Sequence, residues 1–245
     1  MKQYQLVLAT DLDGTFLEGN SATKRFVYNR FAELREQVLL IYTTGRPIET
    51  VKQFCLAGYL PLPHYILGDH GTHIADETFT AVKHLQNPIS ELWNQSNARL
   101  RELLRHERGI QLQPIDPPYR VAYYYDPAYL KNETLKRISA AGFDFILSCE
   151  SYLDILPKRV NKGSSLLKLL DYLNIQHDAV LTSGDSLNDL SLFQTGLKSI
   201  VVANSEPKLV AITKELANVY HSPFHGLLGV MDGIKFYGKL QHLNI

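Results

Sequence analysis

The residues best suited to chemistry are two aspartates, Asp11 and Asp13, in the stretch Thr10 to Thr15. An apolar run from Tyr4 to Ala9 predicts a buried strand just before them. Both carboxylates therefore lie at the carboxyl end of a strand, where open α/β sheets bind ligands. Gly14 breaks the strand at this point, so the two side chains can be aimed separately at one reacting centre.

Such a pair can divide the work of transferring a phosphoryl group. Asp11 would attack phosphorus and carry the group covalently, while Asp13 would give a proton to the leaving oxygen and later take one from water. A divalent cation would be needed, because an anionic nucleophile and an anionic phosphate repel each other strongly. Two aspartates at this spacing are more often exposed acids on a solvated turn. The motif therefore needs support from the rest of the chain.

A second polar segment, Thr43 to Arg46, follows the β-branched run Val38 to Tyr42, which predicts another buried strand. Pro47 comes next and suits the first turn of a helix. Thr44 would hydrogen-bond a phosphoryl oxygen and Arg46 would contact substrate, since strand ends that lead into helices suit phosphate. The alternative is that Thr44 caps the helix and Arg46 is a surface charge.

The loop Gly68 to Ile74 follows a short predicted strand, His64 to Leu67. Its glycines predict a tight turn near the carboxyl edge of the sheet. His70 and His73 are three residues apart, which places them on opposite faces of an extended segment and does not favour a metal site. We interpret them as polar loop residues, with His73 within reach of a substrate.

Two later segments complete the set. Lys162 lies at the predicted amino end of a helix, which favours an anion. Asp185 and Asp189 follow the apolar strand Ala179 to Ser183 and are four residues apart, so both would lie on one side of a helix start. Their oxygens, with the amide of Asn188, suit Mg²⁺. Helix capping would explain one of these acids but not the whole set.

Composition limits the class of protein. The chain has 245 residues, 45% of them hydrophobic, which is enough for a large core. Lysine plus arginine equal aspartate plus glutamate at 25 each, so no overall basic field attracts nucleic acid or an anionic membrane. The first residues lack the apolar stretch of a signal peptide, and no run is long enough to span a bilayer. We therefore predict a cytoplasmic protein.

The order of elements predicts an α/β fold with an insert. Strands and helices alternate in residues 1–77 and again in residues 161–245, which indicates a doubly wound, mostly parallel, Rossmann-like core. Residues 78–160 instead predict helix, strand, strand, helix, strand, strand, a small α+β cap domain. Its first helix, Ile89 to Arg108, is expected to bury the apolar positions Leu92, Trp93, Leu100, Leu103 and Leu104.

Two residue types receive ordinary structural interpretations. Cys55 and Cys149 lie in apolar surroundings within predicted regular structure, so we expect small buried hydrophobes rather than a disulfide or a nucleophile. Tyrosines crowd the predicted cap and would suit sugar recognition, but packing is the expected role for most of them. They are Tyr119, Tyr123, Tyr124, Tyr125 and Tyr129.

The four motifs, in this order, resemble those of the haloacid dehalogenase superfamily of phosphatases. The predicted cap resembles the type found in the subclass that includes sucrose-phosphate phosphatases, trehalose-phosphate phosphatases, mannosylglycerate-related phosphatases and eukaryotic phosphomannomutases. The nearest likeness is to sucrose-phosphate phosphatases, and it extends over Arg120 to Pro127, Leu153 to Gly163 and Asn204 to Pro207. It covers nearly the whole chain.

The resemblance implies specific roles. Asp11 would be the nucleophile and Asp13 the acid/base, while Thr44 and Lys162 would hold the phosphoryl group. Mg²⁺ would be held by the Asp11 carboxylate, the Asp13 main-chain carbonyl and Asp185, with Asp189 supporting the site. The residues expected to bind the substrate are Thr15, Gly45, Arg46, Thr72, His73, Asn161 and Asn188.

The expected activity is Mg²⁺-dependent hydrolysis of a sugar phosphate, most of all a disaccharide phosphate such as sucrose 6-phosphate. The chain departs from the sucrose group at His73, where an acidic residue is common, and at Tyr124, where a histidine is found. The alternatives are mannosylfructose-, mannosylglycerate- or trehalose-phosphate phosphatase, a phosphomannomutase-like mutase, or a non-catalytic sugar-phosphate sensor. We expect a monomer that associates with a sugar-phosphate synthase.

Overall fold

Two β-sheets organise the part of the chain that the computed structural model describes, residues 4–239. The strands are β1 Leu6–Thr10, β2 Val38–Thr43, β3 Tyr65–Gly68, β4 His73–Asp76, β5 Ile110–Leu112, β6 Val121–Tyr125, β7 Phe143–Ser148, β8 Tyr152–Pro157, β9 Val180–Gly184, β10 Lys198–Val201 and β11 Val219–His221. The helices are α1 Ser21–Glu33, α2 Ile48–Leu56, α3 Lys83–Trp93, α4 Asn97–Leu104, α5 Asn132–Ala140, α6 Lys162–Tyr172, α7 Leu190–Phe193, α8 Pro207–Thr213 and α9 Gly226–Phe236.

The larger sheet has the strand order β11-β10-β9-β1-β2-β3-β4 within residues 4–239. Its neighbouring strands are parallel except for β3 and β4, which are antiparallel. β1 is central, and Leu8 pairs with Leu40 on one side and with Leu181 on the other. The prediction of a mostly parallel α/β sheet is confirmed. Because the strands are parallel, the segments after β1, β2 and β9 emerge at the same edge.

Both faces of β1 are buried, which explains its continuous apolar run. Leu6 and Leu8 belong to the apolar cluster formed with α1 and α9, whereas Val7 and Ala9 belong to the cluster formed with α6. All four side chains are fully buried. The alternation follows the period of two along a strand, so helices cover both faces of the larger sheet.

The smaller sheet is antiparallel, with the order β5-β6-β8-β7. It packs on α4 and α5 through a separate apolar cluster that includes Trp93, Leu100, Ile138 and Leu153. Tyr123 is buried in this cluster, while Tyr124 and Tyr129 are exposed. The strands and the second helix predicted in this part of the sequence are therefore present.

The prediction of one long helix from Ile89 to Arg108 is wrong. The chain forms α3 and α4 instead, and the break lies at Asn94 and Gln95, whose φ angles are 45° and 52°. Asparagine tolerates this left-handed conformation better than most residues and ends α3 as its C-cap. Leu92, expected to be buried, is exposed because the buried face of α3 carries Leu85, Ile89 and Trp93 instead.

Two smaller expectations also need correction. The loop after β3 does turn tightly, but the chain then returns as the antiparallel edge strand β4, which the sequence pattern did not predict. Cys149 is exposed in the turn between β7 and β8 rather than buried, and Cys55 is only half-buried. Both cysteines are free thiols. Within residues 4–239, none of the helices has the length and apolar composition needed to cross a bilayer.

Leu8 is fully buried on the central strand β1, so its side chain should contribute measurably to the free energy of unfolding. Leu8→Ala should lower the free energy of unfolding by about 3 kcal/mol, because it leaves a cavity in a closely packed core. Leu56→Ala, at an exposed position of α2, is the matched control and should change the value by less than about 0.5 kcal/mol. Urea denaturation measures both, and equal effects would contradict the assigned burial.

Candidate active site

Four loops meet at the carboxyl edge of the larger sheet. Asp11 directly follows β1, and its N–H donates to the carbonyl of Ser183 on β9 at 2.9 Å. Thr44 directly follows β2, and its N–H donates to the carbonyl of Leu67 on β3 at 2.9 Å. These bonds continue the sheet ladder by one residue beyond the strands. The candidate residues are therefore held by rigid backbone.

Lys162, the first residue of α6, lies at the centre of the site and is fully buried. Its Nζ donates to Asp11 Oδ1 at 2.7 Å, to Asp189 Oδ1 at 2.6 Å and to Asn188 Oδ1 at 2.6 Å. An ammonium group has three hydrogens, so all of them are used. Burial alone would lower the pKa of Lys162, but the carboxylates of Asp11 and Asp189 outweigh it and raise the pKa above its ordinary value.

Three carboxylates cluster around this ammonium group. Each of Asp11, Asp185 and Asp189 offers an oxygen that lies within 4.8 Å of the other two. Burial raises the pKa of Asp185 to about 7, with a further contribution from Asp189. Burial also raises the pKa of Asp11, and Asp189 and Asp185 add to this, although Lys162 opposes it. If all three carboxyls are ionised, their negative charge exceeds what the one ammonium group of Lys162 balances.

Local hydrogen bonds fix the loop after β9. Asp189 Oδ2 accepts the N–H groups of Asp185 at 3.0 Å and Ser186 at 3.1 Å. Thr15 Oγ1 donates to Asp185 Oδ1 at 2.9 Å. Gly14 lies against Asp185 with φ 73°, and a Cβ there would come within 2.3 Å of Asp185 Oδ2. Glycine is required at this position for both its conformation and its close approach.

Asp13 lies apart from the buried acids. Arg46 Nε donates to Asp13 Oδ2 at 2.7 Å and Arg46 Nη2 donates to Asp13 Oδ1 at 2.6 Å, a bidentate pair on the exposed side. The guanidinium also lies 4.9 Å from the ring centroid of Phe54. The hydrogen bonds from Arg46 to Asp13 raise the pKa of Arg46, although burial opposes this.

Thr44 is fully buried, and its Oγ1 accepts the N–H of Arg46 at 3.1 Å. The helix α2 begins after Pro47 and has no side-chain cap, so Thr44 is not its capping residue. Since Oγ1 accepts in this bond, the hydroxyl hydrogen remains able to donate to a ligand oxygen. The side-chain oxygen of Asn188, by contrast, already accepts a hydrogen bond from Lys162.

The other expected substrate residues have local structural contacts. Asn161 Oδ1 accepts the N–H of Ser164 at 2.8 Å and caps α6, and Thr72 Oγ1 donates to the Asp69 carbonyl at 2.9 Å. The half-buried ring of His73 meets that of Tyr119 edge-on, 5.8 Å between centroids. Burial lowers the pKa of His73, and Asp69 partly offsets this.

Two residues near the site had no assigned role in the sequence motifs. Asn204 Nδ2 donates to the Gly14 carbonyl at 2.7 Å, and Asn204 Oδ1 accepts the N–H of Gly226 at 2.8 Å, so Asn204 ties the first loop to α9. Glu206 Oε1 accepts the N–H of Leu187 at 3.0 Å. Both residues lie in the stretch Asn204 to Pro207, where the sequence resembles sucrose-phosphate phosphatases, but that resemblance assigned them no role.

Comparison with known proteins is decisive at the level of family. Residues 4–238 match the family model described as sucrose-6F-phosphate phosphohydrolase. The chain belongs to this family. The resemblance to haloacid dehalogenase phosphatases is thereby confirmed, and the chain is a phosphatase of the sugar-phosphatase type.

Two curated relatives and one solved structure are similar to this phosphohydrolase family member over most of its length. It is 35% identical to glucosylglycerol-phosphate synthase of Pseudomonas anguilliseptica over 96% of this chain, but it spans only 31% of that protein. It is 29% identical to mannosylfructose-phosphate phosphatase of Agrobacterium fabrum, covering 97% of this chain and 98% of that one. The X-ray structure of sucrose-phosphatase from Synechocystis sp. PCC6803, in complex with sucrose and phosphate, shares the fold with a TM-score of 0.87 at 23% identity, covering 98% of this chain and 100% of that one.

The acids of this phosphohydrolase family member fit a hard divalent cation. Carboxylate oxygens are the ligands that Mg²⁺ prefers, and Asp11, Asp185 and Asp189 each offer one within 4.8 Å of the other two. Both oxygens of Asp189 already have partners, Lys162 and the backbone, so Asp189 fits a supporting place. Asp11 and Asp185 are the members of the cluster that could offer a carboxylate oxygen to a metal ion.

The affinity for Mg²⁺ should depend on pH, because the proposed ligand Asp185 has a raised pKa of about 7. Below a pH of about 7 a proton must leave Asp185 when Mg²⁺ binds, so affinity should rise as the pH increases towards 7 and level off above it. The raised pKa of Asp11 acts in the same direction. Isothermal titration calorimetry from about pH 5.5 to about pH 8.5 measures this.

Asp185→Asn provides the comparison for this titration. It should weaken Mg²⁺ binding by about tenfold or more and reduce the dependence on pH, because the titrating ligand is gone. Asp116 is exposed in the connection between β5 and β6 of the smaller sheet. Asp116→Asn should therefore leave both the Mg²⁺ affinity and its dependence on pH unchanged. A binding constant independent of pH, or unaltered by Asp185→Asn, would contradict the assignment.

Proposed function

We propose that this chain is a Mg²⁺-dependent phosphatase of disaccharide phosphates, with sucrose 6-phosphate as the first candidate substrate. The observation that carries the proposal is the convergence of Asp11, Lys162 and Asp185 in one buried cluster at the sheet edge. The match of residues 4–238 to the family model supports the substrate class. A cytoplasmic monomer that acts beside a sugar-phosphate synthase remains a prediction.

Asp11 is the proposed nucleophile. Lys162 holds one of its oxygens at 2.7 Å, which leaves the other to attack phosphorus. The bond from phosphorus to the sugar oxygen breaks as the aspartyl phosphate forms, and water then attacks that phosphorus to release orthophosphate. The ammonium group of Lys162 and the hydroxyl of Thr44 would stabilise the charge on the transferred group.

Asp13 is the proposed acid and base. It would protonate the departing sugar oxygen and later remove a proton from the attacking water. Its carboxylate is paired with Arg46, so it must leave this partner to reach the reacting oxygens. Arg46 then becomes available to a substrate oxygen. In this proposal Arg46 binds the substrate and takes no part in making or breaking the bonds to phosphorus.

Mg²⁺ would be held by the Asp11 carboxylate, the Asp13 main-chain carbonyl and Asp185. When bound, it would neutralise negative charge on the phosphoryl group and orient that group for attack. Asp189 would support the site by fixing the loop and by orienting Lys162. Thr15 would position Asp185 through its hydrogen bond of 2.9 Å.

We further propose that residues 78–160 form a cap over a core of residues 1–77 and 161–245. The turn between β7 and β8 contacts the core loops, where Glu206 Oε1 accepts the N–H of Cys149 at 3.4 Å. The helix α3 lies at the junction, with Ile89 in a core cluster and Trp93 in the cap cluster. Closure would exclude bulk water from the site, and opening would release product.

Candidate contacts for the sugar lie at the junction of core and cap. The rings of His73, from the proposed core, and Tyr119, from the proposed cap, are in contact at the junction. A sugar ring bound there could contact both side chains. Mannosylfructose phosphate and glucosylglycerol phosphate are the second candidates, because the names of two relatives contain them. Each candidate joins a sugar to a second polyhydroxy unit.

A panel of phosphate esters tests the proposal, with orthophosphate release as the readout. At least one of the glycosylated esters named above should give a kcat/KM about tenfold or more above that of glucose 6-phosphate, because only the larger esters fill the cap. Asp11→Asn should reduce turnover on the order of a thousandfold or more, since the attacking carboxylate is lost.

Asp116→Asn is the matched control, because it removes an exposed carboxylate by the same chemical change. It should retain full activity, and circular dichroism should show all variants folded. Near-normal turnover by Asp11→Asn would remove Asp11 from the nucleophile role. Conversion of the ester to an isomer without free orthophosphate would indicate a mutase.

A further inference from the structure

A second buried cluster of charges lies outside the catalytic set. It consists of Asp69 and His70 on the loop after β3, Arg120 just before β6, and Asp154 on β8, and we name it the Arg120 cluster. The side chains of all four are at most 7% exposed. Buried charges are costly unless they are paired, so their positions in the fold require an explanation.

Arg120 is the hub of this cluster. Its Nε donates to Asp69 Oδ1 at 2.9 Å, its Nη2 donates to the carbonyl of Gly45 at 3.0 Å, and its Nη1 donates to Asp154 Oδ1. His70 Nε2 lies 3.1 Å from Asp154 Oδ2, and because a carboxylate only accepts, that nitrogen bears the hydrogen. Burial would raise the pKa of Asp154, but His70 and Arg120 outweigh it and lower the pKa.

The contacts divide between the proposed cap and the proposed core. Arg120 directly precedes β6 and Asp154 lies on the neighbouring cap strand β8, where Ala122 pairs with Asp154, so these two side chains belong to one sheet and move together. Asp69, His70 and Gly45 belong to core loops. Cap opening would therefore break three contacts of this cluster: Arg120 to Asp69, Arg120 to the Gly45 carbonyl, and His70 to Asp154.

The core side of the cluster is strained. Asp69, His70 and Gly71 have φ angles of 49°, 59° and 88°, and such left-handed conformations are unfavourable for the first two. Strained backbone persists only where surrounding contacts hold it. The imidazole of His70 also packs against Gly45, because a Cβ on Gly45 would come within 2.6 Å of His70 Cε1.

We propose that the Arg120 cluster is a latch that holds the cap closed over the site. The inference rests on the proposed function and deepens it, because it names the residues that determine how long the closed state lasts. Arg120 and Asp154 are positioning residues that do not touch the reacting atoms. Their contacts form together on closure, when the substrate is enclosed.

Kinetics with two substrates test the latch. Asp154→Asn keeps the shape of the side chain but replaces one of its two acceptor oxygens with an NH₂ group, so Arg120 Nη1 and His70 Nε2 can no longer both donate to it. It leaves every core residue unchanged. KM for the best sugar phosphate should rise about tenfold without a fall in kcat, because a smaller fraction of the protein is closed. For p-nitrophenyl phosphate, which offers no sugar for the cap to enclose, kcat/KM should stay within about twofold.

A second variant separates the latch from a folding defect. His70→Phe keeps a ring against Gly45 but loses the hydrogen bond to Asp154. The double variant Asp154→Asn/His70→Phe should be no worse than the poorer single variant, because both remove one shared contact. Asp116→Asn, an exposed cap carboxylate, is the control and should behave as wild type with both substrates. Equal losses on both substrates, or no loss on the sugar phosphate, would overturn the latch.

Hydrogen exchange gives a readout that does not depend on the substrate. The N–H of His70 donates to the carbonyl of Thr44 at 2.9 Å, so peptides that cover residues 67–73 report on the latched loop. They should exchange faster in Asp154→Asn, whereas peptides over β1 should not change. Unchanged exchange would overturn the latch. Faster exchange in a protein that hydrolyses none of the sugar phosphates would support the latch and reject the proposed function.

Discussion

The ammonium group of Lys162 is the interaction on which the rest of the site depends. It is completely buried, and its three hydrogen bonds join the first loop to the loop after β9. Without it, Asp11 and Asp189 would be like charges in a low-dielectric environment, a costly arrangement. The cation also explains why residues separated by about 150 positions meet, since the amino end of α6 must reach the carboxyl end of β1.

Much of this arrangement follows from local sequence patterns. Continuous apolar runs before Asp11 and before Asp185 predict buried parallel strands, and parallel strands end at a common edge. The convergence of Asp11, Thr44, Lys162 and Asp185 at that edge is therefore a consequence of topology. The resemblance to the phosphatase motifs adds roles to these positions, and the family match supports the same class of chemistry.

Other features depend on partners that no local pattern reveals. Arg120 directly precedes the apolar strand β6, and nothing near it in sequence indicates that it contacts Asp69 and Gly45. The break of the expected long helix depends on two left-handed residues, and helical periodicity continues across it. The side chain of Asp13 is turned towards Arg46, and the local sequence does not determine this rotamer or this partner. Such long-range pairings are decided by tertiary packing.

The most direct test of the account is to trap the phosphorylated side chain. The protein is mixed with its best sugar phosphate and Mg²⁺, denatured with acid within one turnover, reduced with borohydride, and digested for peptide mass spectrometry. An aspartyl phosphate is reduced to the alcohol, and we expect this change at Asp11, the carboxylate that Lys162 holds. Reduction at another aspartate, or orthophosphate release with no reduced residue, would contradict the account.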